Sequence, residues 1–309
     1  MMIMKVNVIS LTEDTIRFII EGVDTPFVNA LRRTLISEVP CMVIDDLFIF
    51  DNSSVIPDEQ LANRIGLVPL KTDLENYILP EICDCGSDLG CDKCRAVLTL
   101  DVEATDEVVT VTSGDLESAD PNVVPVSPGI PLTKLAPGQA VRLEAYARLG
   151  EGKTHAKWQP VSSAVYQHVS ELEIDEKTCT DCGKCAESCP SGVLEIQDGK
   201  LNIVDVNACT LCGECTKACP VEPAAISQGM KPDAFIMTVE STGCMPPEKL
   251  VQEAVKILKA KLSEFSAKIE ADDVHDEITM FEVPEQANSK LYSVGTIEPD
   301  EEDEETEEE

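Results

Sequence analysis

The dodecamer CTDCGKCAESCP, residues 179 to 190, returns thirty residues later as CTLCGECTKACP, residues 209 to 220. Both copies read CxxCxxCxxxCP, and seven of the twelve positions are the same. Two copies are too few for a stacked solenoid, so they predict a pseudo-symmetric pair that shares one small core. The chain holds fourteen cysteines in all, and its opening MMIMKVNVISLTED lacks the charged-then-apolar pattern of a signal peptide. No uncharged run exceeds thirteen residues, short of a membrane-spanning helix. The expectation is a soluble, cytoplasmic protein without a membrane partner, whose cysteines are kept reduced and are read as metal ligands before disulfides.

Three cysteines at spacing three wrap a tight loop whose thiolates converge on one cubane, while the fourth, followed by proline, ligates the other cluster of a two-cluster ferredoxin-like unit. The pattern therefore assigns Cys179, Cys182, Cys185 and Cys219 to one [4Fe-4S] cluster and Cys209, Cys212, Cys215 and Cys189 to a second. Zinc is the alternative metal for these thiols. Gly183 and Gly213 supply compact backbone beside the sulfurs. A separate group, CDCGSDLGCDKC, places Cys83, Cys85, Cys91 and Cys94 in one loop, a candidate tetrahedral zinc site, with an unmetallated thiol loop as the alternative. Cys41 and Cys244 belong to no motif and are expected as buried thiols. His155, His168 and His275 stand in no ligand or triad spacing, and no phosphate-binding glycine loop, nucleophile elbow or HExxH is present. No catalytic residue is assigned, so the chain is not expected to be an enzyme by itself.

Around the cassette the pattern is α+β. KVNVISLTEDTIRFIIEGV predicts a hairpin, followed by a helix with Thr25 as cap, Pro26 at its first position and Phe27, Leu31 and Leu35 on one face. Short apolar runs from 41 to about 165 predict a mainly β region with one helix at PDEQLANRIG, capped by Asp58 and stopped by Gly66. PNVVPVSPGIPLTKLAPG carries too many prolines for a central strand and is expected as an exposed loop or edge. After the cassette come a strand, AFIMTVES, and a long helix opened by Pro246 and Pro247. In that helix Val251, Val255, Leu258, Leu262, Phe265 and Ile269 recur in a heptad stripe suited to a partner chain, or to an ordinary core. The formal charge is −34, and it is still −25 without the nine acids of DEEDEETEEE at 300 to 309, an expected disordered tail. Such a field repels phosphate backbones, so no direct nucleic-acid binding is expected.

Three stretches outside the cassette, NALRRTLISEVP (29 to 40), NSSVIPDEQLANRIGLVPL (52 to 70) and GKTHAKWQPVSSAVY (152 to 166), resemble the D subunits of archaeal RNA polymerases. These are similar to the third-largest subunit of eukaryotic RNA polymerase II and to the amino-terminal domain of bacterial alpha. The resemblance runs in order from about residue 3 to 270, and the cassette lies where some archaeal members carry a ferredoxin-like insertion. It implies a discontinuous alpha-like dimerisation domain (1 to 40, 166 to 176 and 228 to 275), an inserted mainly β domain (41 to 165, with the loop 83 to 94), the iron-sulfur domain (177 to 227) and a tail (276 to 309). It also implies a heterodimer with the small L subunit, on which the large catalytic subunits assemble for transcription. On that reading Asn29, Arg32 and Arg33 face partner subunits, as do Val251, Val255, Leu258, Leu262 and Phe265. Arg64, Gly66, Pro69, His155, Lys157 and Trp158 shape the inserted domain. Cys83, Cys85, Cys91 and Cys94 resemble the zinc loop of the eukaryotic subunit.

The expected function is therefore a noncatalytic assembly subunit whose two [4Fe-4S] clusters have a structural or redox-sensing role. The alternative is an electron-transfer iron-sulfur subunit of an oxidoreductase, which should come with a flavin, nicotinamide or further cluster motif, and none is visible in the sequence.

Overall fold

A computed structural model describes residues 4–87 and 90–270. It divides into two units, Met1–Ala260 and Lys261–Glu309. His275 and the acidic run lie outside the described residues.

The opening alternation forms the hairpin of β1 (Lys5–Leu11) and β2 (Thr15–Glu21), closed where Thr12 Oγ1 accepts the Thr15 N–H at 3.0 Å. Every second residue of β2, namely Ile16, Phe18 and Ile20, is buried. Helix α1 (Thr25–Ser37) follows, and its cap is Asp24 rather than the expected Thr25. The Asp24 carboxylate accepts the Phe27 N–H at 3.1 Å, which moves Thr25 and Pro26 into the first turn. Val28, Leu31, Thr34 and Leu35 form its buried face.

The middle of the chain supplies β3 (Cys41–Asn52), α2 (Asp58–Gly66), β4 (Arg95–Glu103), β5 (Val109–Thr112), β6 (Glu117–Ser118), β7 (Pro131–Leu135) and β8 (Ala140–Gly150). They build an antiparallel sheet in the order β3-β8-β4-β6 and a ribbon of β5 with β7. Leu61 and Ile65 of α2 enter a core with Met42, Ile44, Leu98 and Leu143. Asp58 is the first residue of α2 and does not cap it, since its carboxylate accepts from Asn52 Nδ2 at 2.7 Å. The proline-rich stretch supplies an edge as expected, since among the described residues β7 pairs only with β5 and so tolerates Pro131 at its start, while Val123, Leu132 and Leu135 within it are fully buried.

The remainder is β9 (Val161–Ile174), α3 (Lys184–Glu187), β10 (Leu194–Gln197), β11 (Lys200–Ile203), α4 (Glu214–Lys217), β12 (Ile226–Ser241) and α5 (Pro247–Glu270). The first sheet has the order β1-β2-β12-β9. Strand β9 begins at Val161, inside the stretch expected to close the β insertion, because Val161 pairs with Ser241 of β12. Beyond an irregularity between Met230 and Phe235, β9 and β12 continue as a pair up to Ile174 and Ile226. The cassettes and the β10–β11 hairpin lie between those two ends. A second core, with Ile16, Phe18, Leu31, Phe235 and Leu250, lies between the first sheet and its helices. Among the described residues no helix is long and apolar enough to cross a membrane.

Candidate functional site

The 83–94 loop starts after a 3-10 turn, Pro80–Ile82, and ends just before the first residue of β4, Arg95. The Cys94 and Arg95 N–H groups both donate to the Cys91 carbonyl, at 2.9 and 3.0 Å, and curl the chain so that four thiols converge. All four sulfurs lie within 4.8 Å of one another. The separations are 3.7 Å for Cys83 to Cys91, 3.9 Å for Cys85 to Cys94 and 3.8 Å for Cys91 to Cys94. A tetrahedral ion with metal–sulfur bonds of roughly 2.3 Å separates its ligands by about 3.8 Å, so the group has the dimensions of a single-ion site. The backbone N–H of Lys93 draws the Cys91 thiol down to about 7. Against the lowering Cys85 backbone bond, burial and the neighbouring thiols push Cys83 up to about 12, and burial raises Cys94, so a metal entering the group has protons to displace.

The two cassettes share a backbone. Gly183 and Gly213 have φ of 75° and 80° and precede α3 and α4, a left-handed step that glycine takes without strain. Two residues before each glycine, Asp181 and Leu211 are also left-handed, at 51° and 58°. Cys185 and Cys215, one on each short helix, are buried beside Leu194, Leu201 and Ile226, while Cys182 and Cys212 are exposed. Cys189 and Cys219 accept N–H groups of Val193 and Ala225, each at 3.4 Å. Cys179, Cys182 and Cys185 of the first cassette share one pocket with Cys219 of the second, among Leu201, Ala225 and Ile226. Cys209, Cys212 and Cys215 stand in the matching positions of the second cassette, with Cys215 in the small core.

The buried face of α5 is Pro247, Leu250 and Ala254. The heptad stripe lies beside it: Val251 and Leu258 are half-buried, and Val255 is exposed. In the second unit Leu262, Phe265 and Ile269 are exposed at 67%, 64% and 51%. On α1, half-buried Arg32 donates to Asn29 Oδ1 at 3.2 and 3.1 Å, and Arg33 is exposed.

Other singled-out residues have packing partners. Arg64 donates to the Leu132 carbonyl at 2.9 Å, His155 Nδ1 accepts the Lys157 N–H at 3.1 Å, and Lys157 pairs with Asp45. Trp158 packs in the core of the first sheet rather than that of the inserted one. Sequence reasoning treated Cys41 and Cys244 separately. They are buried neighbours, and the Cys244 thiol together with burial holds Cys41 well above its ordinary value.

The fold and these groups define an α+β chain with two separate cysteine centres and an uncovered apolar helix stripe. Residues 17–262 match the family described as the RNA polymerase Rpb3/Rpb11 dimerisation domain, and the chain belongs to that family. It is 41% identical over 253 residues (81% of this chain, 93% of the relative) to DNA-directed RNA polymerase subunit Rpo3 of Methanothermobacter thermautotrophicus. It is 38% identical over 269 residues (87% and 99%) to subunit Rpo3 of Archaeoglobus fulgidus. With subunit Rpo3 of Methanosarcina acetivorans it shares 35% over 267 residues (86% and 98%).

Proposed function

We propose that this chain is a noncatalytic assembly subunit of an archaeal DNA-directed RNA polymerase, pairing with the small L subunit as the platform for the large catalytic subunits. The observation that carries this is near full-length similarity to subunits named Rpo3. The exposed stripe of α5 supports an L-subunit contact there, since Leu262 and Phe265 leave apolar surface in water. Asn29, Arg32 and Arg33 are assigned to contacts with polymerase partners. The dimerisation domain comprises the first sheet with α1 and α5, the inserted domain the β3-β8-β4-β6 sheet with its ribbon, and the iron-sulfur domain the segment between β9 and β12. The names of the relatives give the electron-transfer alternative no support.

Cys83, Cys85, Cys91 and Cys94 are assigned to one zinc ion, on the tetrahedral sulfur spacing. Two [4Fe-4S] clusters are assigned to Cys179, Cys182, Cys185 with Cys219, and to Cys209, Cys212, Cys215 with Cys189. The shared pocket supports the crossed arrangement, because it brings the far cysteine of one cassette to the loop of the other. When bound, the clusters would supply cross-links for a small core and a group sensitive to oxidants. The chain's own residues supply thiolates, left-handed loop backbone and an apolar wall.

The test is anaerobic co-purification of the tagged chain with metal analysis of each species. Recovery with an equimolar small subunit and the large polymerase subunits, with about eight irons per chain as two cubanes require, is the expected result. Recovery with a flavoprotein or dehydrogenase and no polymerase subunits would overturn the assignment.

A further inference from the structure

The cassettes repeat in sequence and in backbone, but they are not anchored alike. In the first, Asp181 occupies the left-handed position, and its Oδ1 accepts the Leu201 N–H of β11 at 2.9 Å while lying 3.7 Å from Cys179 Sγ. A short polar side chain tolerates that conformation by bonding to nearby backbone, so the first loop is held by its own unit. In the second, Leu211 stands at the equivalent position and has no polar atom with which to make such a tie.

The second cassette is held from outside. A 3-10 turn, Val206–Ala208, leads directly into Cys209. Arg17 of β2 donates through Nη2 to the Asn207 carbonyl at 2.9 Å. Ser170 of β9, only 2% exposed, donates through Oγ to the Val206 carbonyl at 2.8 Å and lies 3.4 Å from that of Cys209. Arg17 and Ser170 come from strands on either side of β12, so the first sheet grips this turn at two points.

Resting on the iron-sulfur reading above, we infer that Arg17 and Ser170 are positioning residues for the second cluster site, the one that includes Cys209, whereas Asp181 is the positioning residue for the first. Side chains of β2 and β9 thus tie the turn that leads into the second site, whereas at the first site the sheet contributes only wall residue Ile226 at the end of β12. Partners that hold ligands in place commonly change metal retention by roughly 10- to 100-fold when removed. The two sites therefore lose their clusters through different substitutions.

The experiment uses the full chain, reconstituted anaerobically with ferrous iron and sulfide. Cluster loss to a ferrous chelator is followed by visible absorbance and by Mössbauer spectra of enriched iron. Cys182→Ser leaves the second site as the complete one, and Cys212→Ser leaves the first. In the Cys182→Ser background, Arg17→Met with Ser170→Ala is expected to speed cluster loss roughly tenfold or more, and Arg17→Lys, which keeps a donor, to restore most of the retention. In the Cys212→Ser background the same pair is expected to change nothing, while Asp181→Ala speeds the loss. Far-UV circular dichroism checks that each variant is folded. Equal acceleration in both backgrounds, or in neither, overturns the inference and leaves the cluster assignment standing. A wild-type chain that takes up no iron and sulfide overturns both.

Discussion

Trp158 lies against Gly150 so closely that a Cβ there would sit 2.4 Å from the indole ring. The ring is buried, its Nε1 donates to the Arg148 carbonyl at 3.4 Å, and Lys157 lies 4.4 Å from the ring centroid, so it has little room to move. Gly150→Ala is therefore an overpacking change, expected to cost about 1–3 kcal/mol as a lowered urea midpoint with an unchanged slope. At the 83–94 loop, Cys94→Ala removes the most buried of the four thiols, and on the zinc assignment the variant is expected to purify without zinc while other metal content is kept. Metal analysis of the two proteins, prepared alike, is the check. Twelve of the cysteines stand in regular spacings visible in the sequence, and four of them, Cys83, Cys85, Cys91 and Cys94, come within 4.8 Å of one another in the fold. Cys41 and Cys244 carry no such spacing. They meet because both pack on Thr72, whose Oγ1 lies 3.6 Å from Cys41 Sγ and accepts the Met42 N–H, and whose own N–H donates to the Cys244 carbonyl at 2.9 Å.

The heptad stripe of α5 was readable as a period, but not as a face. Leu250 and Ala254, one position before Val251 and Val255, are the residues buried in the core, with Val251 and Leu258 of the stripe packed half-buried at its margin. A helix that buries one stripe and exposes an adjacent one offers the second for docking, and Leu262 and Phe265 are its most exposed large apolar side chains. Phe265→Asp and Leu262→Asp are expected to leave the unfolding free energy of the isolated chain within about 0.5 kcal/mol, as surface changes usually do. Each is expected to weaken binding of the small L subunit by about 2 kcal/mol or more, as loss of a central apolar anchor does. Titration of the purified partners would show this, and undiminished affinity would move the contact elsewhere. The proline-rich stretch was readable as an edge for a related reason. Its composition reports that it cannot sit inside a ladder, but not that Val123, Leu132 and Leu135 seal the second sheet.

The buried clusters differ greatly in what they can sustain. Two are built on sheets with helices packed against them and a third, Val169, Ala234 and Ile236, lies on the first sheet, while the one at the cassettes consists of Cys185, Leu194, Leu201, Cys215 and Ile226, so that two of its five buried residues are cysteines. A core of that size cannot offset the chain entropy of the loops around it, and a small cysteine-rich unit of this kind depends on what its thiolates bind. None of its residues belongs to the larger cores, and its strand connections are the paired ends of β9 and β12. Stripping iron should therefore unfold 177 to 225 locally rather than the whole chain. Hydrogen exchange before and after anaerobic chelation is expected to show amides of β10 and β11, and those near Ile174 and Ile226, losing protection. Amides in β4 and β8 should keep theirs, since these strands pair in the second sheet and belong to a core separate from the cassettes. At β2 the outcome is graded, because the Arg17 bond to Asn207 is lost with the turn while pairing to β1 and β12 remains. Loss of protection in β4 and β8 together with the cassettes would mean that the chain is one cooperative unit, and that the clusters hold up the whole fold rather than its smallest part.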